Sequence, residues 1–85
     1  MSGYAKRTDQ THREVIDTLR ACGWTVFDTH ALPGWVDCTA TRHGEIRLIE
    51  IKTAKGKPTD SQRKLLEDGW PINILRNSDD AMKLR

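Results

Sequence analysis

Residues 35–53 read WVDCTATRHGEIRLIEIKT, and the two residues at their centre, His43 and Gly44, decide the fold. Val, Ile and Thr crowd both arms of this stretch, as β-strands require, and a Gly-containing pair between such arms marks a hairpin turn. If the turn is made by those two residues alone, Arg42 opposes Glu45. Continuing outward, Asp37 opposes Glu50.

That register has chemical consequences. Side chains alternate along a strand, so Asp37, Glu50 and Lys52 project from one face while Cys38, Ile49 and Ile51, with Val36, project from the other. The apolar set supports the charged one, because slipping by one residue would send both to the wrong sides. Directly opposed residues have Cβ atoms about 4.5–5.5 Å apart, where two carboxylates repel unless something neutralises them. A divalent cation would. Carboxylate oxygens suit Mg²⁺, which takes one or two of them together with water and substrate oxygens. A lysine beside such an ion can hold water or stabilise charge developing on a phosphoryl group. Glu50 and Lys52 also have an ordinary reading as a solvated edge pair of small energetic value.

Downstream, Lys55-Gly56-Lys57-Pro58 breaks the strand, and Thr59 to Gln62 has the form of a capping box opening a helix that carries Leu65 and Leu66 toward Gly69. Pro71 to Arg76 suits a last strand, and Ser78 a cap for a terminal helix through Ala81, Met82 and Leu84. Upstream, Trp24 to Thr29 alternates as a strand and Ala31-Leu32-Pro33-Gly34 is a loop. Before it, Val15, Ile16, Leu19 and Cys22 form the apolar stripe of a helix ending at Gly23. Thr11 to Glu14 is another capping box, although the helix can begin as early as Thr8. The order αβββαβα places the chain in the α/β class, with helices flanking a small mixed sheet.

Eighty-five residues make one domain, 1–85, of which 1–8 read as a flexible N-terminus. A domain this small buries a modest fraction of its surface, so a homodimer would help it. Fourteen Lys and Arg against twelve Asp and Glu give a net charge of +2, too mild to announce nucleic-acid binding by itself. The distribution says more: Lys55, Lys57, Arg63 and Lys64 gather around one loop and its helix, where they are either a solvated run or contacts for a nucleic-acid backbone. Cys22 and Cys38 lack zinc-site spacing, and His12, His30 and His43 are dispersed and read as loop or surface residues rather than ligands. Trp24, Trp35 and Trp70 read as core or dimer-contact residues, with Trp35 closest to the charged set. Met1 to Gln10 holds no apolar run for a signal peptide or membrane span, which leads to the expectation of a cytoplasmic protein without membrane contact.

Gly34-Trp35-Val36-Asp37, Glu50-Ile51-Lys52, Thr59-Asp60-Ser61-Gln62 and Gly69-Trp70-Pro71-Ile72-Asn73-Ile74-Leu75, after a helix containing Glu14, together resemble the PD-(D/E)xK restriction-endonuclease-like superfamily. The pattern is most similar to its VRR-NUC (virus-type replication-repair nuclease) branch. The resemblance covers most of the chain and departs from the motif at Val36, where proline is usual; that residue supplies no ligand. It implies an αβββαβ core, metal-dependent hydrolysis of DNA with Mg²⁺ or Mn²⁺ and no small-molecule cofactor, and a branched substrate such as a Holliday junction cut by a homodimer. It also implies a phage or mobile-element origin. Asp37, Glu50 and the Ile51 carbonyl would be metal ligands and Lys52 the catalytic lysine. Gln62 and Glu14 would assist, although each also completes a capping box. Rival expectations are a catalytically silent nucleic-acid-binding module with the same fold, and a small interaction protein with incidental charges.

Overall fold

The computed structural model describes residues 6–85, and side chains from Gln10 onward. Elements follow in the order α1 (Lys6–Ala21), β1 (Thr25–Asp28), β2 (Cys38–Arg42), β3 (Glu45–Ile51), α2 (Asp60–Glu67), β4 (Ile72–Leu75) and α3 (Ser78–Lys83). They form a four-stranded sheet in sequence order, β1-β2-β3-β4, with the first three strands antiparallel and β4 parallel to β3. The chain is thus a small α/β domain with a mixed sheet. Parallel neighbours need a crossover, and the segment bearing α2 provides it.

The central hairpin has the expected register, with Arg42 paired to Glu45 and Cys38 to Ile49. His43 and Gly44 adopt φ of 55° and 78°, the two left-handed residues of a type I′ turn, whose twist matches that of the strands it joins. A Cβ at Gly44 would meet no atom within 4 Å, so only backbone strain opposes substitution there. Gly44→Ala is therefore expected to lower stability by about 1 kcal/mol, read as a reduced urea midpoint with an unchanged slope.

One face of the sheet is covered by α1. Val15, Ile16 and Leu19 of that helix pack with Val26, Cys38, Ala40, Ile49, Ile51 and Leu75 from all four strands, and Ala81 of α3 closes the cluster. The helix stops in a Schellman arrangement: Trp24 N–H donates to Leu19 C=O and Gly23 N–H to Arg20 C=O, with Gly23 at φ 94°. Trp24 thereby folds back onto Leu19 in the core, while the Arg42 guanidinium sits 4.3 Å from its ring centroid.

Several boundaries differ from expectation. The helix begins at Lys6, so Thr11 lies inside it and cannot cap it; the flexible N-terminus expected for 1–8 falls mostly outside the described residues. Asn77, not Ser78, caps α3, its side chain accepting from Asp80 N–H. β2 starts three residues later than Trp35, because Gly34 at φ 76° and the Leu32–Trp35 turn carry the chain off the ladder. Val36 is fully buried but stands outside the main cluster, its carbonyl accepting from the Thr29 hydroxyl at 2.8 Å. The capping box of Thr59 and Gln62 forms as expected. Among the described residues, no helix is long and apolar enough to cross a membrane.

Candidate functional site

The end of β1, the start of β2 and the end of β3 meet at one end of the sheet, because antiparallel neighbours alternate in direction. Asp37 immediately precedes β2, and its main-chain carbonyl accepts from Thr29 N–H at 2.8 Å. Its side chain reaches across the hairpin, where Oδ2 accepts from Ile51 N–H at 2.8 Å. Lys52 is one residue past β3 but still donates its amide to Leu75 of β4, so the strand's alternation persists through it. Its Nζ lies 3.3 Å from Glu50 Oε2.

Glu50 is only 2% exposed, an unusual burial for a carboxylate. Its Oε2 accepts from Gln62 Nε2 as well as pairing with Lys52, whereas Oε1 is buried with no partner among the described residues. Burial first, and then the like charge of Asp37, push its pKa up to about 7, against the opposing pull of Lys52. An orphaned, buried carboxylate oxygen costs more than an exposed one gains, and it is the kind of atom a cation satisfies. Glu50 and Asp37 lie close enough to share a proton, and a hard divalent ion held by the two carboxylates would take that proton's place.

A cleft of about 490 Å³ opens beside them, walled by Asp37, Ile51, Lys52 and Thr53, by Thr11, His12, Arg13, Ile16, Asp17 and Arg20 of α1, and by Asp28 and His30. Glu50 lies behind this wall, against Asp37 and Lys52. Burial, and after it the neighbouring carboxylates, push the thiol of buried Cys38 up to about 12.

The remaining expected residues divide. Gln62 joins the site, and its target is Glu50; its side-chain oxygen meanwhile accepts from Thr59 N–H, so the cap and the carboxylate contact coexist on one side chain. Glu14 does not line the cleft: it is exposed and accepts from Gln10 one helical turn back. Arg63 pairs with Asp60 on α2 and Lys64 with Asp68 at the helix C-cap, both as exposed ion pairs of small energetic value. Lys55 and Lys57 are exposed on the loop after Lys52, and among the described residues neither forms an ion pair. That loop is held by Arg76, whose Nη1 donates to the carbonyls of Thr53 and Gly56 at 2.8 and 2.7 Å.

His12 and His30, read from the sequence as dispersed loop or surface residues, instead converge on Asp28, with His12 on α1. His12 Nε2 lies 3.3 Å from Asp28 Oδ2, and His30 Nδ1 lies 2.7 Å from Asp28 Oδ1. Burial raises the Asp28 pKa, but hydrogen bonds from the His30 amide and from both imidazoles outweigh it and hold the carboxyl down at about 2. His12 and His30 are eighteen positions apart and meet only because α1 lies across the end of β1. The one local signal is the Asp28-x-His30 spacing at a strand end.

Fold and cleft together define a small mixed-sheet α/β domain with a buried glutamate, a half-buried aspartate and a lysine at one sheet end. The chain matches no family model, no curated protein and no solved structure.

Proposed function

We propose that the chain is a metal-dependent DNA endonuclease with a restriction-endonuclease-like core of the VRR-NUC type, acting on branched DNA as a homodimer. The observation that carries this reading is the meeting of half-buried Asp37 and Lys52 with buried Glu50, whose Oε1 has no partner among the described residues, next to an open cleft. Asp37 is aimed by the Ile51 amide, Glu50 is held by Gln62, and Lys52 stands where it can stabilise negative charge on a phosphoryl group entering the cleft. Mg²⁺ or Mn²⁺ held by Asp37 and Glu50 would supply polarisation of the scissile phosphate and acidification of water. Arg13 and Arg20 on the α1 wall, and Lys55 and Lys57 beyond Lys52, offer contacts to the DNA backbone on either side.

The homodimer is supported by the sheet face turned away from α1. In the register of the strands, Phe27, Thr39, Leu48 and Ile72 form one row across that face. Phe27 is 73% exposed and Ile46, on the same face, 65% exposed, while α2 has no buried residue. A twofold partner would cover such a surface and present two clefts to a branched substrate.

The test is cleavage of labelled four-way junction, flap and linear duplex DNA with Mg²⁺, Mn²⁺ or EDTA. Cation-dependent cleavage favouring a branched substrate supports the proposal. Salt-sensitive binding with no cleavage of any substrate replaces it with a silent binding module, and no binding at low salt removes nucleic acid from the account. Sedimentation showing only monomer at micromolar concentration, with and without DNA, would remove the dimer.

A further inference from the structure

We infer that His12, Asp28 and His30 form a binding site for a transition-metal cation of the Zn²⁺ type, separate in ligand chemistry from the Asp37–Glu50 pair. The inference stands whether or not the chain cleaves DNA.

The three donors come from different elements. His12 is on α1, Asp28 is the last residue of β1, and His30 lies in the turn that follows. Their ligand atoms all lie within 4.8 Å of one another. Asp28 occupies the middle, with one oxygen toward each ring, and the His30 main-chain N–H donates to Oδ1 at 3.0 Å, which fixes the carboxylate between the imidazoles. The two rings meet edge to face with centroids 5.1 Å apart. Zn–N and Zn–O bonds of about 2.0–2.2 Å put tetrahedral ligands roughly 3.2–3.6 Å from one another, so side-chain rotations of modest size close the set around an ion.

Donor chemistry selects the cation. Two imidazoles and one carboxylate suit Zn²⁺, Co²⁺, Ni²⁺ or Fe²⁺, whereas Mg²⁺ and Ca²⁺ prefer oxygen ligands throughout. The neighbouring carboxylate pair has the opposite preference, so one cleft would hold a hard site and a borderline one. Exposure leaves room for further ligands: the His12 side chain is 21% exposed, that of Asp28 37% and that of His30 61%. Three protein ligands with an open side are the arrangement of a site that also takes water or an anionic group. All three residues line the cleft shared with Asp37 and Lys52, so a cation here would add positive charge to the wall facing an incoming phosphate.

The test uses Zn²⁺ alone, titrated calorimetrically into the metal-free full chain in the presence of millimolar Mg²⁺, with Co²⁺ as a spectroscopic substitute. One saturable Zn²⁺ site is expected, weakened at least about tenfold by His12→Ala, by His30→Ala and by the isosteric Asp28→Asn, but retained in Asp37→Asn. Co²⁺ should give d–d bands without the thiolate charge-transfer absorption that Cys22 would produce. Thermal unfolding in EDTA confirms that each variant is folded; if His12→Ala is not, Asp28→Asn and His30→Ala carry the comparison. Binding unaltered by these variants, binding lost in Asp37→Asn, a thiolate band, or no saturation below millimolar Zn²⁺ would each overturn the site.

Discussion

Asp37→Asn is expected to reduce DNA cleavage by at least about 10²–10³-fold in single-turnover assays while leaving DNA affinity within a few-fold of the native chain. The substitution keeps size and shape, and the amide oxygen of asparagine can still accept from the Ile51 N–H that Asp37 now engages. What it removes is one negative charge from the pair that would hold the cation. Binding should survive because, on the proposed function, phosphate contacts would come from cationic side chains elsewhere around the cleft, and losing an anion would not weaken them. Lys52→Ala should match the cleavage loss for a different reason, the absence of positive charge beside the reacting phosphate. It should also lower the unfolding midpoint, since Glu50 would remain in a buried position without the Nζ that stands 3.3 Å from it. Cleavage persisting in Asp37→Asn would remove this carboxylate from the chemistry. Loss of binding together with cleavage would indicate a role in the fold.

What the sequence disclosed, it disclosed where local rules determine geometry. His43 and Gly44 impose a two-residue turn, the turn imposes a register, and the register brings Asp37 toward Glu50 without any knowledge of tertiary packing. Gly23 ends α1 and Thr59 with Gln62 opens α2 for equally local reasons. The misreadings share a cause. Thr11 to Glu14 has the pattern of a capping box, but a pattern cannot distinguish a first turn from a second, and with α1 beginning at Lys6 the pair sits mid-helix. Glu14 consequently faces solvent with Gln10, and the helix side that meets the cleft is that of His12, Ile16 and Arg20. The cluster of His12, Asp28 and His30 was illegible because it depends on how α1 lies on the sheet. Gln62 offered two readings that exclude each other only if one side chain makes one contact; its oxygen caps the helix and its nitrogen holds Glu50.

Glu50 makes a second large effect measurable without any DNA. Its pKa rises from an ordinary 4.5 to about 7 in the folded chain, so between those values the folded state keeps a proton that the unfolded state has released. With fewer protons bound to the unfolded chain, stability falls as pH rises. The stabilising contribution of the protonated form is complete below about pH 4.5 and is lost as pH rises through about 7. Asp28 acts in the opposite sense but at lower pH, since its pKa is lowered to about 2 and its contribution fades only as pH falls from about 4. In EDTA, urea midpoints of the native chain should therefore decline from pH 5 to pH 8. Glu50→Gln, which needs no proton to stay neutral, should lack most of that slope and exceed the native chain in stability at pH 8. Adding Mg²⁺ or Mn²⁺ at pH 8 should restore the native chain, because a cation between Asp37 and Glu50 replaces the proton, and should do little for Glu50→Gln. Equal slopes in the two proteins would mean that Glu50 ionises freely, and the orphaned Oε1 would then no longer point to a bound ion.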